Sequence, residues 1–137
     1  MTNCIFCKII KDEIPSAKIY EDDKVFSFLD IAPNNKGHAL VVPKKHSENF
    51  LGMDDDEKMA VFAATGKISG AISKALDCDF NIVMNNGKNA GQVVFHSHVH
   101  IIPRFQEDGI RFQVVHKKYE GNEMKEFAEK IRECIDG

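Results

Sequence analysis

The spacing of apolar positions changes along the chain, and each change marks an element. In residues 17–29 (AKIYEDDKVFSFL) short apolar runs flank the polar turn Glu21-Asp22-Asp23-Lys24. That pattern predicts two short strands, with Ile19, Val25 and Phe28 or Leu29 turned inward. Pro33-Asn34-Asn35-Lys36-Gly37 is loop by composition. His38–Val42 (HALVV) reads as a strand closed by Pro43, which has no N–H for a central ladder. Over Asp54–Leu76 the period changes. Val61, Ala64, Ile68, Ala71 or Ile72, and Ala75 keep the three-four spacing of a buried helical stripe. Asp54 suits the N-cap with Glu57 three residues on, and Asp55 and Asp56 put negative charge at the positive end of the helix dipole. Gly66 and Gly70 each weaken this helix by about 1 kcal/mol relative to Ala, and their spacing suggests close packing against another surface.

Beyond the helix, Phe80–Met84 (FNIVM) predicts a strand and Asn85–Gln92 (NNGKNAGQ) a polar, glycine-rich turn. Val93–Ile102 (VVFHSHVHII) predicts the next strand, stopped by Pro103. Residues 104–120 are irregular, with a short strand expected near Phe112–Val115. Glu123–Ile135 predicts an amphipathic helix, with Met124, Phe127, Ala128, Ile131, Cys134 and Ile135 on one face. Strands, helix, strands, helix is the order of an α+β domain: an antiparallel sheet of about five strands, a long central helix and a C-terminal helix within 121–136. Residues 1–137 fit a single domain.

Composition narrows the partners. Hydrophobic residues make up 43% and charged residues 28%, which is globular and not disordered. A net charge of −3 argues against a nucleic-acid backbone as partner but leaves room for a locally positive phosphate site. The N-terminal MTNCIFCKIIKDEIPS is interrupted by Lys8 and Lys11, so it reads as neither signal peptide nor membrane span. That implies a cytoplasmic protein, where disulfides are disfavoured. Cys4 and Cys7 then read as thiols or metal ligands. Cys78 and Cys134 read as small buried hydrophobes, and His116-Lys117-Lys118 as solvated surface.

The chemistry concentrates in His96-Ser97-His98-Val99-His100. On a strand these histidines share one face, spaced about 6.6 Å apart, while Ser97, Val99 and Ile101 face the other way. Three neighbouring imidazoles resist charging together, so at least one stays neutral near pH 7 and is available as nucleophile or base. A metal site made of all three is the competing reading.

The segment His96-Ser97-His98-Val99-His100-Ile101-Ile102 resembles the His-φ-His-φ-His-φ-φ motif of the histidine-triad (HIT) family, φ being apolar. The resemblance extends through Phe28-Leu29-Asp30-Ile31, Gly37-His38-Ala39-Leu40-Val41-Val42-Pro43-Lys44-Lys45-His46, and Asn85 with Gly91-Gln92. It spans roughly residues 4–105 and implies a HIT-like fold. Ser97 departs from the apolar pattern and bears on packing more than on chemistry.

The resemblance implies a nucleotide-phosphate hydrolase or transferase that attacks the α-phosphate of a nucleoside phosphoramidate, phosphosulfate, aminoacyl adenylate or dinucleoside polyphosphate. It passes through a nucleotidyl-histidine and releases a nucleoside monophosphate. Carried over, His98 is the nucleophile, His100 assists the leaving group and His38 supports the nucleophile. Asp30 is similar to the residue that holds the ribose hydroxyls. Ile31, with Phe6 and Phe28, would wall a purine pocket, and Asn85 would contact ribose or phosphate. The Asn85–Gln92 turn, alone a plain hairpin loop, beside the histidines becomes a phosphate cradle. It would offer the Gly91 and Val93 amides and the Gln92 side chain. Bacterial-type members imply structural zinc on Cys4, Cys7, His46 and His96, a closed tetrahedral set. The family also implies a homodimer, with the Asp54–Leu76 helix as candidate interface. A nucleotide-binding sensor on the same fold and a metalloenzyme using the histidine row directly are the alternatives.

Overall fold

The computed structural model describes residues 3–136. Its strands are β1 (Lys18–Glu21), β2 (Val25–Leu29), β3 (Ala39–Pro43), β4 (Asp79–Val83) and β5 (Val99–Arg104). They form one antiparallel five-stranded sheet in the order β1-β2-β3-β5-β4. The helices are α1 (Ile5–Ile10), α2 (Asp55–Leu76) and α3 (Glu123–Asp136). This is the α+β architecture expected from the order of elements. Among the described residues, no helix is long and apolar enough to cross a membrane.

Alternation along the strands divides the core between the two sheet faces. Val25, Ala39, Val41, Val99 and Ile101 pack under Val61, Ala64, Ile68 and Ile72 of α2. The other parity, Phe26, Phe28, Leu40 and Val42, packs with Phe6 and Ile9 of α1. Complete burial of a Val or Ile side chain stabilises by about 1.5–3 kcal/mol, so both layers hold the sheet firmly. The Asp54 carboxylate accepts from Glu57 N–H at 2.8 Å, as the capping pattern requires.

Several expectations are corrected by who lies next to whom. Ile19 is exposed because β1 is an edge strand. On α2 the buried stripe runs through Thr65 and Ser69 and reaches Ile72, while Ala71 and Ala75 are exposed. Gly66 and Gly70 face open space within the chain. Pro103 lies inside β5 instead of stopping it. The β3–β5 register ends at Ala39 opposite Ile101, and the Pro103 carbonyl accepts from the Asn35 side chain, so no ladder bond is lost. No strand forms at Phe112–Val115, and residues 105–122 hold no helix or strand. The helix α3 forms as expected, yet Met124, Phe127, Ile131 and Ile135 are exposed and so is Cys134. Among the described residues, its apolar face meets little more than Tyr119, whose ring lies 6.0 Å from that of Phe127.

Candidate active site

The histidine row is half strand and half bend. β5 begins only at Val99, opposite Val41. Residues 94–98 have no strand beside them, and the Ser97 N–H donates instead to the Ser47 carbonyl at 2.8 Å. Val99 and Ile101 enter the core under α2, while His96 and His98 both lie against the Phe6 ring, with His98 beside His100. Along that shared side the histidines meet two different environments.

His96 is fully buried and its Nε2–H donates to the Pro43 carbonyl at 2.8 Å. A carbonyl only accepts, so Nδ1 is left bare. That nitrogen lies 3.3 Å from Cys4 Sγ and 3.6 Å from Cys7 Sγ, and His46 Nδ1 lies 3.5 Å from Cys7 Sγ. The four ligand atoms all fall within 4.8 Å of one another. A tetrahedron with Zn–S of about 2.3 Å and Zn–N of about 2.0 Å has S···N edges of about 3.5 Å. The donor set and its spacing thus fit zinc. Burial pushes the His96 pKa down to about 4, which favours the neutral ring a metal would need. The short helix α1 brings the cysteines here: Cys4 is its N-cap and accepts from Cys7 N–H. Six residues are too few to show helical periodicity, but the C-x-x-C spacing doubles as a capping spacing and was the available signal.

His98 has the opposite orientation. Its Nδ1–H donates to the His96 carbonyl at 2.7 Å, leaving Nε2 unprotonated. Its ring meets the edge of Phe6 at 5.2 Å and the ring of His100 at 4.9 Å between centroids. Burial lowers the His98 pKa against the opposing pull of the His96 carbonyl and Asp30. Burial, then the neighbouring His98 and His38, take His100 down to about 4. His38, buried on β3's approach, is lowered by burial against Asp30. His38 Nε2 lies 2.9 Å from His100 Nδ1 and 3.8 Å from Asp30 Oδ2, so its partner is His100. Asp30, His38 and His100 could also hold a metal by proximity, but the 2.9 Å bond occupies both facing nitrogens and makes them a hydrogen-bonded cluster.

A cavity of about 310 Å³ opens over His98 and His100. Asp30, Ile31, Asn85, Gly91 and Val93 line it as the sequence suggested, together with Phe6 and Phe28. Ile31 is fully exposed at the rim. Leu40 and Val94 also line the cavity and were not singled out from sequence. Gln92 departs from expectation. Its amide donates to the carbonyls of Glu48 and Val94, and its Oε1 accepts from Gly87 N–H, so it braces the loop from within. The Gly91 N–H is taken by the Lys88 carbonyl. The Val93 N–H has no partner among the described residues and stands at the cavity. Gly91 adopts φ +93°, where a side chain is strained.

Comparison with known proteins places these features in context. The HIT domain family model matches residues 11–107, leaving Cys4 and Cys7 outside the match. An uncharacterised HIT-like protein of Borreliella burgdorferi is 47% identical over 136 residues, covering 97% of this chain and 94% of that one. An adenosine 5′-monophosphoramidase of Schizosaccharomyces pombe is 42% identical over 106 residues, covering 77% of each. Among solved structures, one from Streptococcus mutans superposes with a TM-score of 0.93 at 43% identity, covering 98% of this chain and 87% of that chain. A zinc-bound histidine triad family protein of Mycobacterium smegmatis matches with a TM-score of 0.76 at 36% identity, covering 82% of each.

Proposed function

The chain belongs to the HIT family, and from that premise we propose that it is a nucleotide-phosphate hydrolase or transferase with His98 as nucleophile. One observation carries this reading: His98 Nδ1 lies 2.7 Å from the His96 carbonyl, which can only accept and so takes the Nδ1–H, while the ring lines the cavity bearing Asp30 and Val93. A neutral imidazole fixed in this tautomer is a ready nucleophile. His98 Nε2 forms a bond to the α-phosphorus as the bond to the leaving group breaks and its electron pair departs. His100 hydrogen-bonds the leaving atom. Water then attacks the nucleotidyl-histidine, releasing the nucleoside monophosphate and restoring His98. Asp30 holds the ribose hydroxyls, Asn85 ribose or phosphate, and the Val93 amide a phosphate oxygen. A nucleoside phosphoramidate is the first substrate to try, given the relative with that activity.

Cys4, Cys7, His46 and His96 would hold structural zinc, which ties α1 to the histidine row. The chain would act as a homodimer in the cytoplasm. The uncovered apolar face of α3, the exposed Phe80 and Ile82 of edge strand β4, and the open glycines of α2 support an interface between copies. Light scattering coupled to gel filtration reads the dimer directly, and a monomer would refute it.

The test of the reaction is intact-protein mass spectrometry after an alkaline quench with an adenosine phosphoramidate, comparing wild type with His98→Ala. A transient gain of one nucleotidyl group, absent in the variant, is the expected result. Neither adduct nor product would instead favour a nucleotide-binding sensor.

A further inference from the structure

The Pro103-Arg104 pair and the Pro33–Gly37 loop have no part in the chemistry above, yet they meet behind His38. Arg104 Nε donates to Asp108 Oδ2 at 2.8 Å and its Nη2 to Asp108 Oδ1 at 3.2 Å. Its Nη1 is fixed to Asn81 Oδ1 at 2.7 Å. The Asp108 side chain is only 6% exposed and also accepts from the Phe105 and Ile110 amides. Asn35 joins this network, donating through Nδ2 to Asp108 Oδ2 at 3.1 Å and to the Pro103 carbonyl at 2.8 Å. The loop is therefore clamped to the end of β5. Gly37 completes the clamp: at φ +95° a Cβ there would meet Leu76 Cδ1 at 2.6 Å.

The clamped loop aims the Asn34 backbone N–H at His38 Nδ1, 3.1 Å away. An amide N–H only donates, so His38 Nδ1 must accept and its proton sits on Nε2. That Nε2–H then donates to His100 Nδ1 at 2.9 Å. His100 Nδ1 is an acceptor in turn, and its own proton sits on Nε2, the ring nitrogen left for the cavity. Each step follows from donor and acceptor identity.

We propose that Asn35, Asp108 and Arg104 are positioning residues which, through the Asn34 amide and His38, hold His100 as a hydrogen-bond donor toward the leaving group. The proposal rests on the His98 reading for its link to catalysis, but its core statement concerns tautomers alone. Without the clamp, the Asn34 amide leaves His38, both tautomers of His38 become accessible, and His100 no longer presents one fixed nitrogen. His98 is set separately by the His96 carbonyl and keeps its tautomer.

The experiment is long-range ¹H–¹⁵N correlation of the imidazole rings at neutral pH, in wild type, Asn35→Ala and the milder Asp108→Asn. Turnover of an adenosine phosphoramidate is measured alongside. Wild type should show His38 and His100 as single Nε2–H tautomers and His98 as Nδ1–H. Asn35→Ala should show averaged ring signals at His38 and His100 with His98 unchanged. In that variant kcat should fall by roughly ten- to a hundredfold with KM little altered, the size expected for a misplaced catalytic group, and Asp108→Asn should lie between. A wild-type His100 protonated on Nδ1, or an Asn35→Ala spectrum identical to wild type, overturns the proposal. If the wild type turns over no nucleotide while the tautomers are as stated, the hydrolase reading fails and the positioning device stands.

Discussion

His96 and His98 are two residues apart and both buried, yet they present opposite ring nitrogens to opposite chemistries. At His96 a carbonyl takes Nε2–H and leaves Nδ1 to two thiols. At His98 a carbonyl takes Nδ1–H and leaves Nε2 to the cavity. Side-chain identity is the same, so the difference lies in which backbone oxygen is within reach. Pro43, unable to donate, serves His96 through its carbonyl. His96's own carbonyl then sets His98. The proposed metal centre and the proposed reactive group are thereby wired in series along a short piece of chain, and the two ends can be separated by mutation.

The sharpest separation is His98→Ala. It removes the proposed nucleophile and touches none of the four proposed metal ligands. Turnover should fall by on the order of 10³-fold or more, while zinc content by atomic absorption and the melting temperature stay near wild type. Loss of metal in this variant would mean that the two ends are not independent.

The reciprocal change is Cys4→Ser with Cys7→Ser. Zinc should be released and, since metal binding is linked to folding, several kcal/mol of stability should go with it, lowering Tm by roughly ten degrees or more. Activity should suffer less than in His98→Ala, because the His98 tautomer depends on the His96 carbonyl and not on its ring. Thermal unfolding with metal analysis checks this. An unchanged metal content would refute the ligand set.

Much of this wiring was legible in the sequence. The helix α2 announced itself through its apolar stripe and the Asp54 cap, because a long helix repeats its signal several times. The five site histidine and cysteine positions outside the His98–His100 pair, and that pair itself, stood out by residue type and order. What could not be read was whether a neighbour strand exists. Alternation at His96, Ser97 and His98 looks like a strand, but the β3–β5 register starts at Val99 and the row bends before it. Gln92 shows the same blindness: an amide in a glycine-rich turn suits phosphate equally well as it suits Glu48, Val94 and Gly87. Likewise the apolar stripe of α3 fixes the helix but not what covers it.

Protonation offers a further separation. An ordinary histidine titrates near 6.5, but burial lowers His98 and takes His100 to about 4. The acid limb of kcat/KM, which reports the free enzyme, should therefore lie below 6.5, leaving activity nearly flat through neutrality. Stability follows with a definite sign. Between 6.5 and about 4 the unfolded chain takes up protons that folded His100 refuses, so stability is full above 6.5 and declines as pH falls through this window. A limb centred on 6.5 would mean that the cavity end is solvated and that burial there is not what sets the nucleophile.

The smallest effect lies between the two ends, at the position that breaks the family's apolar pattern. Ser97 is buried, and its Oγ lies 2.8 Å from Ser47 Oγ, next in sequence to His46 of the proposed metal site. Its N–H also donates to the Ser47 carbonyl. The hydroxyl pair therefore satisfies itself where an apolar side chain would otherwise pack. Ser97→Ala removes one partner and strands the Ser47 hydroxyl, which should cost about 1–3 kcal/mol. Ser47→Ala with Ser97→Ala removes both, so the double variant should lose less than the two single losses combined. Chemical denaturation of the full double-mutant cycle measures that coupling. Additive losses would mean that the hydroxyls do not depend on each other and that the backbone bond alone joins the metal end to the catalytic end.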